Sequence, residues 1–139
     1  MNKQMPLSSQ ELKAVTRFVT QLRHNIPSLL RGIILYGSKA RFESKPDSDI
    51  DILVVLTDDD YMYRNQVSNV ASDVSLEYDV LLLSHVVSLQ LWQEMADGPF
   101  FFFREVFRDG WPVYGDPTVF APLARRDMPP LYEETAVTA

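Results

Sequence analysis

The sequence predicts an α+β fold, a small mixed β-sheet flanked by helices, and three observations lead there. Residues 32–36 and 50–56 are continuous runs of branched apolar residues without polar alternation, the pattern of strands covered on both faces. Amphipathic helical stripes precede the first run and follow the second. The connections also differ in kind. About a dozen residues join the first two strands, marginal for a right-handed crossover, so they are expected as antiparallel neighbours. A helix of roughly four turns then leads to a third strand, ample for a parallel crossover.

The elements follow in order. Ser8-x-x-Glu11 has the form of a capping box, and Leu12, Val15, Val19 and Leu22 recur at helical spacing, which predicts a first helix over 9–24. Pro27 ends it. The strand over 32–36 stops at Gly37-Ser38; a short helix over 39–44 and the turn residues Lys45-Pro46-Asp47-Ser48 follow. Ile50 opens the strongest β signal in the chain. Thr57-Asp58-Asp59-Asp60 supplies a cap and first-turn acids to a helix whose stripe is Tyr63, Val67, Val70 and Val74. A third strand is expected over 76–83, with Glu77 and Asp79 near its start. Ser84 is expected to cap another helix with Val87, Leu91 and Met95 inward, interrupted at Gly98-Pro99. Helical character resumes over 100–108, Gly110 closes it, and 111–114 form a short last strand. Pro117, Pro122, Pro129 and Pro130 then mark a change of texture. The chain thus divides into a domain over 1–115 and a proline-rich tail over 116–139, a candidate partner-binding segment not expected to pack as regular structure by itself.

Composition narrows the function. One domain is the default for 139 residues, and 46% apolar with 12% aromatic residues suffices for a core. The chain has no cysteine, which excludes thiolate nucleophiles, disulfides and cysteine-ligated metals. Neither a signal-peptide core nor a membrane-spanning run is visible, so a soluble, cytoplasmic protein is expected. A net charge of −6, from 13 basic and 19 acidic residues, is the wrong sign for general nucleic-acid binding. Six of the acids fall between Asp47 and Asp60, either as a solvated loop or as a site for a divalent metal.

Asp49 and Asp51 decide between these. They share one face at the start of an apolar strand, and Glu77 and Asp79 would share a face at the start of the next. Adjacent carboxylates there repel unless solvated or neutralised. Mg²⁺ suits them, because it prefers oxygen ligands and completes its coordination with water and substrate phosphates. A third carboxylate from the neighbouring strand would allow two ions about 4 Å apart, the clamp used in phosphoryl transfer. Gly37-Ser38 supplies a turn where backbone amides can approach a phosphate; Lys39 and Arg41 add charge, or are solvated cations on a short helix. No Gly-x-x-x-x-Gly-Lys-Ser/Thr loop is present.

Gly37-Ser38, ten intervening residues and then Asp49-Ile50-Asp51 form an ordered set that resembles the minimal nucleotidyltransferase (MNT) branch of the DNA polymerase beta-like nucleotidyltransferase superfamily. "GSKAR", "PDSDIDILV" and the closing "FREVFRDGWPVYGD" extend the likeness over residues 10–115. The resemblance implies the polymerase beta palm-like fold and transfer of AMP from ATP with release of pyrophosphate. It implies Asp49, Asp51 and Asp79 as catalytic metal ligands, with Asp79 assisting the metal or activating the acceptor, and Gly37, Ser38, Lys39 and Arg41 as nucleotide-binding residues. It also implies a role as the antitoxin of a HEPN-domain ribonuclease toxin, with a toxin tyrosine as acceptor and a hetero-oligomer with the toxin. Neutralisation by binding alone, and modification of an antibiotic, are the alternatives. One departure stands out. Relatives often read Ala-Arg-Gly where this chain has Ala40-Arg41-Phe42, and phenylalanine does not favour the positive φ that glycine allows, so the backbone is expected to differ there.

Other residues carry plainer expectations. Phe100 to Phe103 are read mainly as core, with at least one facing outward. His24 and His85 are read as surface or capping residues, Arg104 and Arg108 as partners of acids, and Arg125-Arg126 as too short for a nucleic-acid patch.

Overall fold

The computed structural model describes residues 5–98 and 101–132. A four-stranded mixed sheet in the order β3-β2-β1-β4 separates two layers of helices. The strands are β1 (Leu30–Tyr36), β2 (Ile50–Leu56), β3 (Leu82–Ser88) and β4 (Trp111–Gly115). β1 pairs antiparallel with β2 and β4, and β2 pairs parallel with β3, as the connection lengths require.

Helix α1 (Ser9–Asn25) begins at the capping box read from the sequence: the Glu11 amide donates to Ser8 Oγ at 3.1 Å and the Ser8 amide to Glu11 Oε1 at 2.8 Å. With α3 (Tyr61–Tyr78) it covers one face, where Phe18, Leu22, Val67 and Val74 pack on Ile33, Leu35, Ile52 and Val54. Residues of the opposite parity, Ile34, Leu53 and Val55, face a second cluster with Val87, Trp92, Val106, Val119, Phe120 and Leu123. That layer is built from α4 (Leu89–Glu94), α5 (Phe101–Asp109) and α6 (Pro117–Phe120). The four-residue α2 (Gly37–Ala40) caps the end of β1, tied by the Trp111 indole N–H to the Ala40 carbonyl at 3.1 Å. No helix among the described residues is long and apolar enough to cross a membrane.

Two expectations are corrected here. The third strand lies at 82–88 and not 76–83, because α3 runs on to Tyr78 and closes at Asp79 in the left-handed conformation, φ 54° and ψ 49°. The uninterrupted apolar run starts only at Val80, and Asp is among the few residues that enter that conformation readily. The helix cap moves with it: Ser88, not Ser84, accepts the Leu91 amide at 3.1 Å, and Trp92 rather than Leu91 turns inward, its indole N–H on the Val119 carbonyl at 2.8 Å. Of the phenylalanine run, Phe101 is exposed while Phe103 packs against Trp92; Phe100 and Pro99 lie outside the described residues.

The proline-rich segment is the second correction. As far as Tyr132 it packs on the domain, because it brings its own apolar side chains. Val119 fills the space above Gly32, where a Cβ would lie 2.6 Å from its Cγ1. Leu131 and Tyr132 donate their amides to the Pro112 and Val113 carbonyls, both at 3.0 Å, along the outer edge of β4. The Arg125 guanidinium stacks on Trp111 at 4.6 Å. Residues 133–139 lie outside the described residues. Leu123 is fully buried, so Leu123→Ala is expected to cost roughly 2–4 kcal/mol in urea unfolding, whereas a detached tail would leave the midpoint unchanged.

Candidate active site

The end of β1 and the start of β2 lie side by side, with Tyr36 opposite Asp51. The chain must turn at once into α2, and Gly37 does so at φ +79°. A Cβ there would collide with Asp51 Oδ2 and lie 3.1 Å from its Cγ, so conformation and space both demand glycine. Asp51 lies on the side of the sheet of Leu53 and Val55 and hence of α5, and Asp49, just ahead of β2, is close enough to act on its charge. A small cavity of about 90 Å³ opens there, lined by Tyr36, Gly37, Arg41, Phe102, Glu105 and Val106.

Asp51 sits where its charge is disfavoured. Burial first, and then the charge of Asp49, raise the Asp51 pKa above the ordinary carboxylate value, with His85 and Arg41 partly opposing. The Tyr36 phenol is pushed up by burial and by Asp51, so it stays protonated. Such a pair fits a hard divalent cation, which would remove the repulsion that the fold leaves in place.

The structure brings Gly37, Ser38, Arg41, Asp49 and Asp51 together at this end of the sheet. Arg41 is half-buried and donates to Glu43 Oε2 at 3.1 Å, within electrostatic reach of Asp51. Lys39 is placed differently. Its side chain is 4% exposed, and its ammonium forms a 2.6 Å ion pair with Glu11 Oε2 and donates to the Lys45 carbonyl at 3.3 Å, so it is turned toward α1. Asp79 is also elsewhere. As the C-cap of α3 it borders a separate cleft of about 480 Å³ with Ser8, Gln10, Glu11, Lys39 and Asp47. Among the described residues no group of three or more His, Asp or Glu side chains could hold a metal. The strand expected to carry Asp79 starts only at Leu82, so Asp79 sits at the end of α3 and not in a strand beside Asp51.

In the register observed, β3 presents Leu83 beside Asp51 and His85 beside Leu53. His85 Nδ1 and the Tyr36 hydroxyl are 2.6 Å apart, and Phe102 stands edge-on to the Tyr36 ring at 5.4 Å. Neither Tyr36 nor His85 was a candidate from sequence. Period-two alternation from Leu83 would have placed His85 on the site's face once the strand was set at 82–88. Phe42 corrects the remaining expectation: it adopts φ +58°, the glycine-like backbone, with its ring edge-on to Trp111 at 6.0 Å. A left-handed non-glycine costs about 1–2 kcal/mol, and an aromatic pair returns about 0.5–1.5 kcal/mol.

Residues 22–110 match the family described as polymerase beta, nucleotidyltransferase, and this span contains Gly37, Ser38, Asp49 and Asp51. The chain belongs to the polymerase beta nucleotidyltransferase family. Within it, a protein of Methanocaldococcus jannaschii named as a protein adenylyltransferase is 34% identical over 104 residues, 75% of this chain and 98% of that protein. A protein of Sulfolobus solfataricus named as a nucleotidyltransferase shares the fold with a TM-score of 0.50 at 21% identity, covering 83% of this chain and 92% of that one. A complex of a tri-AMPylated Shewanella oneidensis HEPN toxin with its MNT antitoxin gives a TM-score of 0.44 at 24% identity over 78% and 75% of the two chains.

The raised pKa carries a stability sign. An acid whose folded pKa lies above its unfolded value destabilises the fold while ionised, and the penalty vanishes below the unfolded value, near 3.8 for Asp51. Asp51→Asn is expected to raise Tm by roughly 1–4 °C at pH 7, with the gap closing as pH falls toward 4. Calorimetry across that range checks it, and a lower Tm at pH 7 contradicts it.

Proposed function

We propose that this nucleotidyltransferase moves AMP from ATP to a hydroxyl, a tyrosine of a HEPN ribonuclease toxin, and so acts as that toxin's antitoxin in the cytoplasm. The observation that carries the reading is the apposition of Gly37 to Asp51, with Asp49 close enough to act on its charge. It puts a side-chain-free backbone turn, where phosphates can approach, against two carboxylates that favour a divalent cation. Family membership supports nucleotidyl transfer. The name of the M. jannaschii relative supports adenylylation of a protein, and the resemblance to MNT antitoxins supports the toxin as acceptor.

In this reading the acceptor hydroxyl oxygen forms a bond to the α-phosphorus of ATP. The bond from that phosphorus to the oxygen bridging to the β-phosphate breaks, pyrophosphate departs, and the hydroxyl proton passes to solvent. Asp49 and Asp51 would hold Mg²⁺, which would neutralise charge on the phosphates. Gly37 and Ser38 receive the phosphates, while Arg41, on the same side as the acids, adds positive charge. Phe102 lines the small cavity beside Tyr36.

Incubation with α-labelled ATP, Mg²⁺ and a HEPN protein from the same operon is expected to label a tyrosine of that protein. Asp49→Ala with Asp51→Ala should reduce the label by more than about a hundredfold, as should removal of the metal by chelation. Equal labelling by the double variant refutes the mechanism, and label on an antibiotic but not on the protein shifts the acceptor class.

A further inference from the structure

We infer that Glu11 and Lys39 are a positioning pair for the phosphate turn, acting from behind it and never touching nucleotide; this rests on the proposed nucleotide site. Lys39 is buried and Glu11 part-buried, their side chains 4% and 13% exposed at the edge of the larger cleft, and their 2.6 Å contact is the shortest ion pair described. Burial alone would raise the Glu11 pKa. Hydrogen bonds from Lys39 and from the Ser8 amide outweigh it and hold the group below the usual carboxylate value, which favours its carboxylate form beside the ammonium.

Its connections reach three segments. Glu11 Oε1 accepts the Ser8 amide and fixes the start of α1, while Oε2 takes the Lys39 ammonium. Lys39 follows Gly37-Ser38 directly, and its ammonium also donates to the Lys45 carbonyl at 3.3 Å. Lys45 in turn opens a turn in which its own amide donates to Ser48 Oγ at 2.8 Å, next to Asp49. One buried charge pair therefore links α1, the turn that would receive the phosphates and the segment delivering the first carboxylate. The four residues of α2 supply too little regular structure to hold that geometry unaided. A lysine beside a glycine turn looks like a phosphate ligand in sequence, yet this one is turned toward α1.

Glu11→Gln separates the two roles, because they predict opposite signs. Glutamine preserves the capping box and removes the charge partner. If Lys39 acts through Glu11, the change loosens the turn: Mg²⁺–AMP-PNP binding, measured calorimetrically well below Tm, should weaken about five- to tenfold. Amides of residues 37–49 should exchange faster in the nucleotide-free protein, while those of β2 after Ile52 stay protected. If Lys39 is a direct phosphate ligand, freeing it leaves binding unchanged or tighter, which overturns the inference. Unchanged affinity with a lowered Tm also overturns it, since that is a merely structural pair. Wild-type protein that binds no nucleotide removes the proposed function and this inference together. Glu11→Gln with Lys39→Met, which leaves no unpaired buried charge, should recover Tm without recovering affinity; full recovery of affinity would contradict positioning by the pair.

Discussion

The close approach of Gly37 to Asp51 is the constraint on which the rest depends. Antiparallel pairing brings the end of β1 to the start of β2, and only a residue without a side chain lets the turn press against the carboxylate. Because the acids belong to a strand whose next five residues are buried, they cannot retreat into water without dragging the core with them. The fold thus holds Asp51 half-buried beside Asp49, where burial and that neighbour disfavour its charge and a cation would relieve it.

Both layers around the sheet serve that end of it. On one face α1 and α3 bury the strands, and Glu11 of α1 pairs with Lys39 of the turn. On the other, α5 lays Phe102 beside Tyr36 and Gly37, and the segment after β4 closes the far side by seating Val119 over Gly32. The proline-rich stretch is thereby part of the scaffold as far as Tyr132. Its prolines stop it from forming long helices or strands, but they do not prevent Val119, Phe120, Leu123 and Leu131 from being buried.

Much of this was legible in the sequence. The central strands, their relative directions and the capping box follow from apolar runs, connection lengths and local hydrogen-bonding chemistry, all short-range signals. The position of β3 was not, because residues 76–79 suit a helix end as well as a strand start, and only the packing of α3 against α1 decides. That one displacement moves Asp79 from a strand start to a helix end, and it hid His85. The orientation of Lys39 was not legible for a different reason: charge and spacing say nothing about which way a long side chain turns, and its partner Glu11 is remote in sequence. Phe42 shows that tertiary contacts can hold a backbone conformation that propensity argues against.

The most direct measurement is a crystal of the protein grown with AMP-PNP and Mn²⁺, examined for anomalous scattering. Asp49 and Asp51 should share a peak within about 2.0–2.3 Å of an oxygen from each, with a nucleotide phosphate on the ion and the triphosphate against Gly37 and Ser38. Nucleotide bound elsewhere, or at Gly37 with the two carboxylates apart and no metal between them, would contradict the account.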